Sequence, residues 1–355
     1  MTSPSAVTKG KENFMKKTII TAFIMIISTV LFSCLPFGEK GIFLSDDRIP
    51  PVFLGAAAAG PDSLIVKLNE KPDPESPAFL ITPDPGVNSI YADTEEILIT
   101  LARNQDPGHE YILEGTVKDS AGNSLSFVTR FYGFNPDLPE VKINEFTTQG
   151  SSSHPDMAEL VFLSDGNLAG MSLFHGTDDD FRDKKIFPPV RVSAGDFALV
   201  HFKPQGIPEE IDETEDKSVS GGIDAADSAL DFWIPGGSGL SGNNGVLALY
   251  SYPGGPLIDA VIYSNRTSSS DEKYRGFGSS SMLFQVDRIV ELGGWRISGT
   301  LAAPEDAVNP DDSTATRSIC RNALSGDNDE KQDWHIVPTS GYTFGFVNND
   351  EIYSP

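Results

Sequence analysis

The sequence predicts an all-β protein in which two β-sandwiches follow one another, with one inserted helix near residues 279–292. Short runs rich in β-branched and aromatic residues recur between turn residues, at the spacing typical of sandwiches. The 355-residue chain has 33 glycines and 25 prolines, and these residues separate the runs. Beyond the N-terminal segment a sustained helical period occurs once, so little helix is expected.

The first element along the chain is an apolar segment near the N-terminus. Lys16 and Lys17 precede an apolar run at 18–32, and Ser33 stands directly before Cys34. This order resembles a bacterial lipoprotein signal peptide with its lipobox. The resemblance implies that Cys34 is lipidated and anchors the protein to a membrane of the cell envelope. The outer membrane or the cell surface is favoured over the inner membrane.

An uncleaved membrane helix is the alternative for this segment. Its apolar run is about 15 residues long, whereas a spanning helix needs roughly 20. We therefore favour the lipoprotein signal. Residues 1–14 are polar and fit neither the signal nor a fold, so Met1 and Met15 both stand as candidate starts.

Charge and cysteine content restrict the partners and the chemistry. The formal net charge is −25, and residues 1–33 contain four lysines and one glutamate, so the part after the signal carries −28. Proteins bind nucleic acid through basic patches, so nucleic acid is not an expected partner. The chain has two cysteines. If Cys34 is acylated, Cys320 has no intramolecular partner, which excludes a disulfide framework and a cysteine-based zinc site.

The region 52–134 has the pattern of a β-sandwich. Strands are predicted at 63–68, 96–101, 110–117 and 124–132. Five prolines lie between the first two of these runs and confine that segment to loops or sheet edges; they are Pro72, Pro74, Pro77, Pro83 and Pro85.

The stretch 111–123 ends in the sequence Asp-Ser-Ala-Gly-Asn and resembles the hallmark hairpin of bacterial immunoglobulin-like domains. In such a hairpin Gly122 and Asn123 can take the positive φ that a tight turn requires. A generic β-hairpin is the alternative.

After a proline-bearing linker at 135–140, the chain resembles the lamin-tail domain family. Ile143, Asn144 and Glu145 match the family's first strand motif, and Glu159 with Leu160 matches the second. Further matches follow in order at 168–174, 192–200 (a predicted hairpin), 245–250, 257–263, 317–321, 333–334 and 338–341, with Asn348 near the end. The resemblance implies a second immunoglobulin-like sandwich. The organisation is then a signal peptide with lipobox at 1–34, a tether at 35–51, a bacterial immunoglobulin-like domain at 52–134 and a lamin-tail-like domain at 141–349.

Patterning within the second domain gives four expectations. The strand from Val141 has polar residues on both faces, which favours an edge or junction position. The run 245–251 is almost wholly apolar and predicts a buried central strand. The acidic insertion 204–228 is either functional or disordered, because loops of this length are uncommon in compact domains. The stretch 279–292 predicts an amphipathic helix packed on the sandwich; its apolar face is Met282, Leu283, Val286, Ile289 and Val290, with Gly293 as C-terminal cap.

The candidate chemical motifs are weak. Residues 237–242 satisfy G-x-G-x-x-G, but a strand follows instead of the helix of a dinucleotide site, so a loop is predicted. The five histidines are scattered, Cys320 lacks a neighbouring histidine, and no nucleophile elbow occurs. The acidic clusters 178–183 and 327–330 could bind calcium but lack EF-hand spacing, so solvated loops are favoured. We therefore assign no catalytic residue, metal ligand or cofactor.

These observations predict a membrane-anchored surface or periplasmic lipoprotein that acts as a non-enzymatic binding, adhesion or scaffold module. Its protein or glycan partner is not readable from the sequence. The alternative is an accessory or calcium-binding component of an envelope hydrolase system, since bacterial lamin-tail domains often accompany nucleases and phosphoesterases on one chain. No such catalytic domain is recognisable in this sequence. If a catalytic group did assemble, we expect it on a rim formed by 178–183, His201 and 327–333.

Overall fold

Seven strands form the first sandwich in the computed structural model, which describes residues 47–323 and 327–355. They are β1 (Phe53–Gly60), β2 (Ser63–Leu68), β3 (Ala78–Thr82), β4 (Val87–Tyr91), β5 (Glu96–Leu101), β6 (Glu110–Lys118) and β7 (Ser124–Tyr132). Two antiparallel sheets, ordered β1-β2-β5-β4 and β3-β6-β7, enclose an apolar core. Phe53 of the first sheet stacks on Phe127 of the second, with ring centroids 4.3 Å apart.

The strand predictions for this domain are confirmed. Three predicted strands coincide with β2, β5 and β7, and β6 extends one residue further than expected. The proline-bearing segment carries β3, and β3 is an edge strand of its sheet, where a missing N–H disrupts no ladder. Gly122 has a φ of 91°. Asn123 does not take a positive φ: its side chain and backbone N–H both donate to Asp119 and fix the turn.

Twelve strands and one α-helix form the second sandwich. They are β8 (Val141–Phe146), β9 (Met157–Phe162), β10 (Gly166–Asn167), β11 (Ser172–Gly176), β12 (Phe181–Ile186), β13 (Arg191–Val192), β14 (Phe197–His201), β15 (Leu230–Trp233), β16 (Asn244–Tyr250), β17 (Leu257–Ser264), α1 (Ser280–Glu291), β18 (Ile319–Arg321) and β19 (Trp334–Ile336). A six-stranded sheet β15-β14-β9-β8-β18-β19 faces a four-stranded sheet β12-β11-β16-β17, and β10 pairs with β13. The core lies between the two large sheets, where Phe146 and Tyr263 approach with ring centroids 5.5 Å apart.

The structure confirms one strand prediction of the second domain and corrects two. β16 lies between β11 and β17 and is buried, as its apolar run predicts. Of the two positions predicted for β8, the edge is wrong, because β9 and β18 flank the strand; β8 does begin directly after the interdomain linker, and its polar side chains meet the C-terminal segment described below. The predicted hairpin at 192–200 is also wrong. Its two strands are adjacent in sequence, but β13 pairs with β10 and β14 pairs with β9 and β15.

The predicted helix is confirmed as α1. The Met282 N–H donates to the Ser279 hydroxyl at 3.1 Å, which caps the first turn. Met282, Val286 and Ile289 are buried against the sandwich core. Among the residues that the structure describes, no helix is long and apolar enough to cross a membrane.

Residues 50–355 form one compact unit, and the two sandwiches contact each other at the linker. The Asn135 amide donates to the carbonyls of Asn167 and Ala169 at 2.8 and 3.0 Å. Gly108 and Gly170 approach so closely that a Cβ on Gly170 would lie 2.7 Å from the Gly108 Cα. Neither position can carry a side chain without moving backbone. No pattern in the linker predicted these junction contacts. Because the linker 135–140 is short, proline-bearing and without an apolar stripe, we expect the two domains to fold independently.

Candidate functional site

Cys34, the predicted site of lipidation, lies outside the described residues.

The three parts of the predicted rim, 178–183, His201 and 327–333, have different neighbours in the structure. In the 178–183 cluster, Asp180 accepts a hydrogen bond from Ser281 in the first turn of α1, and Asp179 accepts one from Thr177 at 2.8 Å. These contacts fix the turn between β11 and β12 against the helix.

His201 belongs to a buried polar group that orders the acidic insertion. Its Nε2 lies 2.6 Å from an Asp231 carboxylate oxygen, and its ring stacks on Trp233 at 3.8 Å. Asp231 in turn donates its backbone N–H to Glu213, a fully buried residue of the insertion. Glu213 also accepts the backbone N–H groups of Val219 and Ser220. The insertion contains no strand, and this buried carboxylate holds it against the edge of the six-stranded sheet.

The third cluster surrounds Arg321, which ends the matched stretch 317–321 but was given no role by the sequence. Arg321 is 6% exposed and links the two sheets of the sandwich: it donates to Asp259 on β17 at 2.7 Å and to the Ile143 carbonyl on β8 at 2.8 Å. A third hydrogen bond reaches Asp327 at 2.5 Å. Asp259 also accepts the Ile143 N–H at 2.7 Å. Burial raises the pKa of Asp259 to about 6, while the charge of Arg321 opposes that rise.

The carboxylates of Asp259, Asp327 and Asp329 offer a candidate cation site, with oxygens within 4.8 Å of one another. The surrounding donors fit such an ion poorly. The Arg321 guanidinium already binds two of the three carboxylates, and Lys142 lies 3.2 Å from Asp327. Two fixed cations therefore hold the positions that a hard metal ion would take. We interpret the cluster as an ion-pair network that closes the sandwich.

A second buried acidic pair underlies the motifs matched at β8 and β9. Glu145 and Glu159 lie opposite each other on adjacent strands, and both are fully buried. Burial raises the pKa of Glu145; burial and the neighbouring Glu145 raise that of Glu159 well above its ordinary value. The C-terminal segment, defined as residues 341–349, supplies donors to both carboxyls. Thr343 donates its N–H and hydroxyl to Glu145, and Gly345 donates its N–H to Glu159.

The C-terminal segment is held by further contacts. The Asn348 amide donates to the backbone carbonyls of Asn144 at 3.0 Å and of Arg321 at 2.7 Å. Phe344 packs on an apolar patch of the sheet that includes Met157 and Leu199. These contacts explain why β8, a central strand, carries polar residues on its outer face. Cys320 lies in the same neighbourhood; burial, and next the charge of Glu145, raise the pKa of its thiol, which favours the protonated form.

Several cavities open on the described residues, and three of them lie beside the second sandwich's helix, its last strand or the domain junction. A groove of about 710 Å³ lies beside Trp334, and a pocket of about 390 Å³ lies at the N-terminus of α1. That pocket is lined by His175, Arg182 and Arg266, together with Ser241 from the glycine-rich loop, which is a loop as predicted. The third cavity, about 400 Å³, is mostly apolar and lies at the junction of the two sandwiches. The sequence contained the Asp-Trp pair at 333–334 as a motif match but gave no sign of the groove beside it.

Residues 139–336, more than half of the chain, match the protein family described as TP_1001_2nd, protein second domain. The chain belongs to this family. The TP_1001 second-domain match begins just before β8 and ends with β19. A relative, an uncharacterized protein of Treponema pallidum (strain Nichols), is 27% identical over 158 residues, which is 44% of this chain. The match spans 40% of the length of that relative.

Solved structures give weaker similarities. The N-terminal part of the bacterial S-layer protein SbsC matches 41% of this chain and 38% of its own, with 12% identity and a TM-score of 0.23. Dimeric latent PorU from Porphyromonas gingivalis matches 65% of this chain and 20% of its own, with 10% identity and a TM-score of 0.19. Similarities at these scores carry no argument about the role of this family member.

Proposed function

We propose that the protein is a lipid-anchored envelope protein that acts as a non-enzymatic binding, adhesion or scaffold module. In this proposal an immunoglobulin-like domain connects the anchor at Cys34 to a lamin-tail-like domain, which engages a protein or glycan partner outside the cytoplasm. The outer membrane or the cell surface is the proposed location. Nucleic acid is not a proposed partner, because the chain after the signal carries −28.

The observation that supports this proposal is that the buried polar groups of the second sandwich are bound to other parts of the protein. Arg321 and Asp259 join the two sheets, and Glu145 and Glu159 bind the C-terminal segment. His201 and Asp231 hold the acidic insertion. These groups have fixed protein partners, whereas catalysis needs an acid, base or nucleophile presented to a substrate. Concave sites are where proteins bind small ligands, and the described residues form several of them.

Membrane partitioning tests the anchor. We expect the chain with Cys34 to enter the detergent phase and the Cys34→Ala variant to be released, since acyl chains contribute about 0.8 kcal/mol per buried CH₂. Cys320→Ala is the matched control, because that cysteine is buried in the sandwich, and it should partition like the unmodified chain. Detergent-phase partitioning of Cys34→Ala would instead support an uncleaved membrane helix.

A further inference from the structure

Among the described residues, two arginines and no carboxylate line the pocket at the N-terminus of α1. Arg182 on β12 and Arg266, which follows β17, reach this pocket from different segments of the chain. The chain has 51 acidic residues against 26 lysines and arginines, so a pocket without an acidic side chain is distinctive in this molecule. The groove beside Trp334, by contrast, has three carboxylates in its lining. The charge of the pocket at α1 therefore favours an anion.

Neighbouring carboxylates orient both guanidinium groups, although neither carboxylate lines the pocket. Arg182 Nε lies 3.9 Å from Asp183, and Arg266 Nη2 lies 3.4 Å from Asp271. Each guanidinium also makes one hydrogen bond to a neighbouring loop. In the described part of the chain Nη1 of neither arginine has a hydrogen-bond partner. Both arginines therefore retain N–H groups for a ligand.

The first turn of α1 adds a backbone donor. Ser281 lines the pocket, and its N–H has no acceptor among the residues that the structure describes. The Ser281 hydroxyl donates to Asp180 at 2.5 Å, which leaves the backbone N–H available. Helix N-termini bind anions because their free N–H groups and the helix dipole both favour negative charge.

A buried histidine indicates which anion fits. His175 is 6% exposed and lines the pocket. Its Nδ1 is fully enclosed and lies 3.7 Å from Asp183. Its Nε2 is not enclosed and makes no hydrogen bond to a described residue, so Nε2 is the ring nitrogen on the pocket side.

The protonation of His175 makes Nε2 an acceptor. Burial lowers the pKa of His175 to about 4, so the ring is neutral at pH 6 and above. The Asp183 carboxylate favours the tautomer whose proton is on Nδ1, and that tautomer presents a lone pair at Nε2. An anion that carries a proton can donate to this nitrogen, whereas a fully deprotonated anion cannot.

We infer that the pocket at the N-terminus of α1 binds a phosphate group. The charged phosphate oxygens accept hydrogen bonds from Arg182, Arg266 and the Ser281 N–H. A phosphate oxygen that carries a proton donates to His175 Nε2. The volume of about 390 Å³ lies within the range of small-ligand sites, so the pocket can admit a phosphate ester as well as the free ion. This site depends neither on the anchor nor on the proposed partner, and it goes beyond the proposed function.

The test measures the affinity of the purified chain for inorganic phosphate, sn-glycerol 3-phosphate and sulfate by calorimetry at pH 6 and constant ionic strength. At this pH about half of the ester carries a proton, because its second pKa is about 6, whereas sulfate carries none. We expect phosphate to bind at least about tenfold more tightly than sulfate, as the gain of one hydrogen bond implies. Tighter binding of sn-glycerol 3-phosphate than of inorganic phosphate would identify an esterified ligand, and the reverse order would identify the free ion.

Two variants assign the binding to the pocket. Arg182→Gln should weaken phosphate binding about tenfold or more, because it removes charge-assisted hydrogen bonds, and the exposed position of Arg182 should leave the fold intact. Arg191→Gln is the matched control, because Arg191 is an exposed arginine outside the pocket lining. His175→Phe keeps a ring beside Phe202 but removes the acceptor, so it should abolish the preference for phosphate over sulfate.

Three results would overturn the inference. The first is the absence of phosphate binding. The second is an affinity for sulfate that equals the affinity for phosphate. The third is a phosphate affinity in Arg182→Gln that equals the affinity in Arg191→Gln, and this comparison does not depend on the folding of His175→Phe.

Discussion

Replacing Arg321 with methionine should destabilise the second sandwich strongly, because it leaves the buried carboxylate of Asp259 without its cation. Breaking a buried ion pair by removing one partner costs about 3–5 kcal/mol. Asp259 would retain the backbone N–H groups of Ile143 and Ala260 as donors. We therefore expect the lower end of that range, about 3 kcal/mol at pH 8.

The pH dependence of this loss follows from the pKa of Asp259. Burial raises that pKa from 3.8 to about 6 in the folded chain, and removing Arg321 raises it further because the opposing charge is gone. A carboxyl whose pKa is higher in the folded chain than in the unfolded chain holds its proton more tightly when folded. It therefore stabilises the fold at pH values below its pKa in the unfolded chain, and this stabilisation is lost as the pH rises through its pKa in the folded chain. The Arg321→Met variant should therefore be closer to the unmodified chain at pH 5 than at pH 8.

Tryptophan fluorescence during urea unfolding provides the measurement. The three tryptophans, Trp233, Trp295 and Trp334, all lie in the second sandwich, so the signal reports on that domain. Arg191→Met is the matched control, because the Arg191–Asp137 pair is exposed and should contribute no more than about 1 kcal/mol. The reasoning would be refuted if Arg321→Met lowered the free energy of unfolding no more than Arg191→Met does. It would also be refuted if the loss of stability in Arg321→Met were larger at pH 5 than at pH 8.

Three further predictions concern domain independence, activity and the C-terminal segment. Fragments 50–136 and 137–355 should each unfold cooperatively in separate calorimetric scans, because each contains its own apolar core; a fragment that folds only in the full chain would contradict this. The purified chain should not hydrolyse nucleic acid, phosphoester or peptide substrates, and metal-dependent turnover that disappears in Asp179→Ala or Asp329→Ala would establish an enzyme instead. Asn348→Ala should lower the free energy of unfolding by about 1–3 kcal/mol, because it removes donors to two backbone carbonyls; an unchanged urea midpoint would show that the C-terminal segment contributes little.

The sequence by itself determined the fold class, most strands of the first domain and the helix. These features depend on local patterns: side-chain alternation, turn residues and the helical spacing of Met282, Val286 and Ile289. A strand such as β2 or β16 is recognisable because its own residues carry the signal. The loop at 237–242 was recognisable because a strand follows it, which excludes a dinucleotide site.

Only the tertiary structure decided which strands pair and what the polar residues do. The outer face of β8 looks like that of an edge strand until Thr343, about 200 residues away in sequence, is seen to satisfy Glu145. In the same way Arg321 meets Asp259 across 62 positions, and Trp334 borders a groove formed by segments far apart in the chain. Local pattern carries no information about such partners, because a buried charge is stabilised by whichever residue the completed fold places beside it.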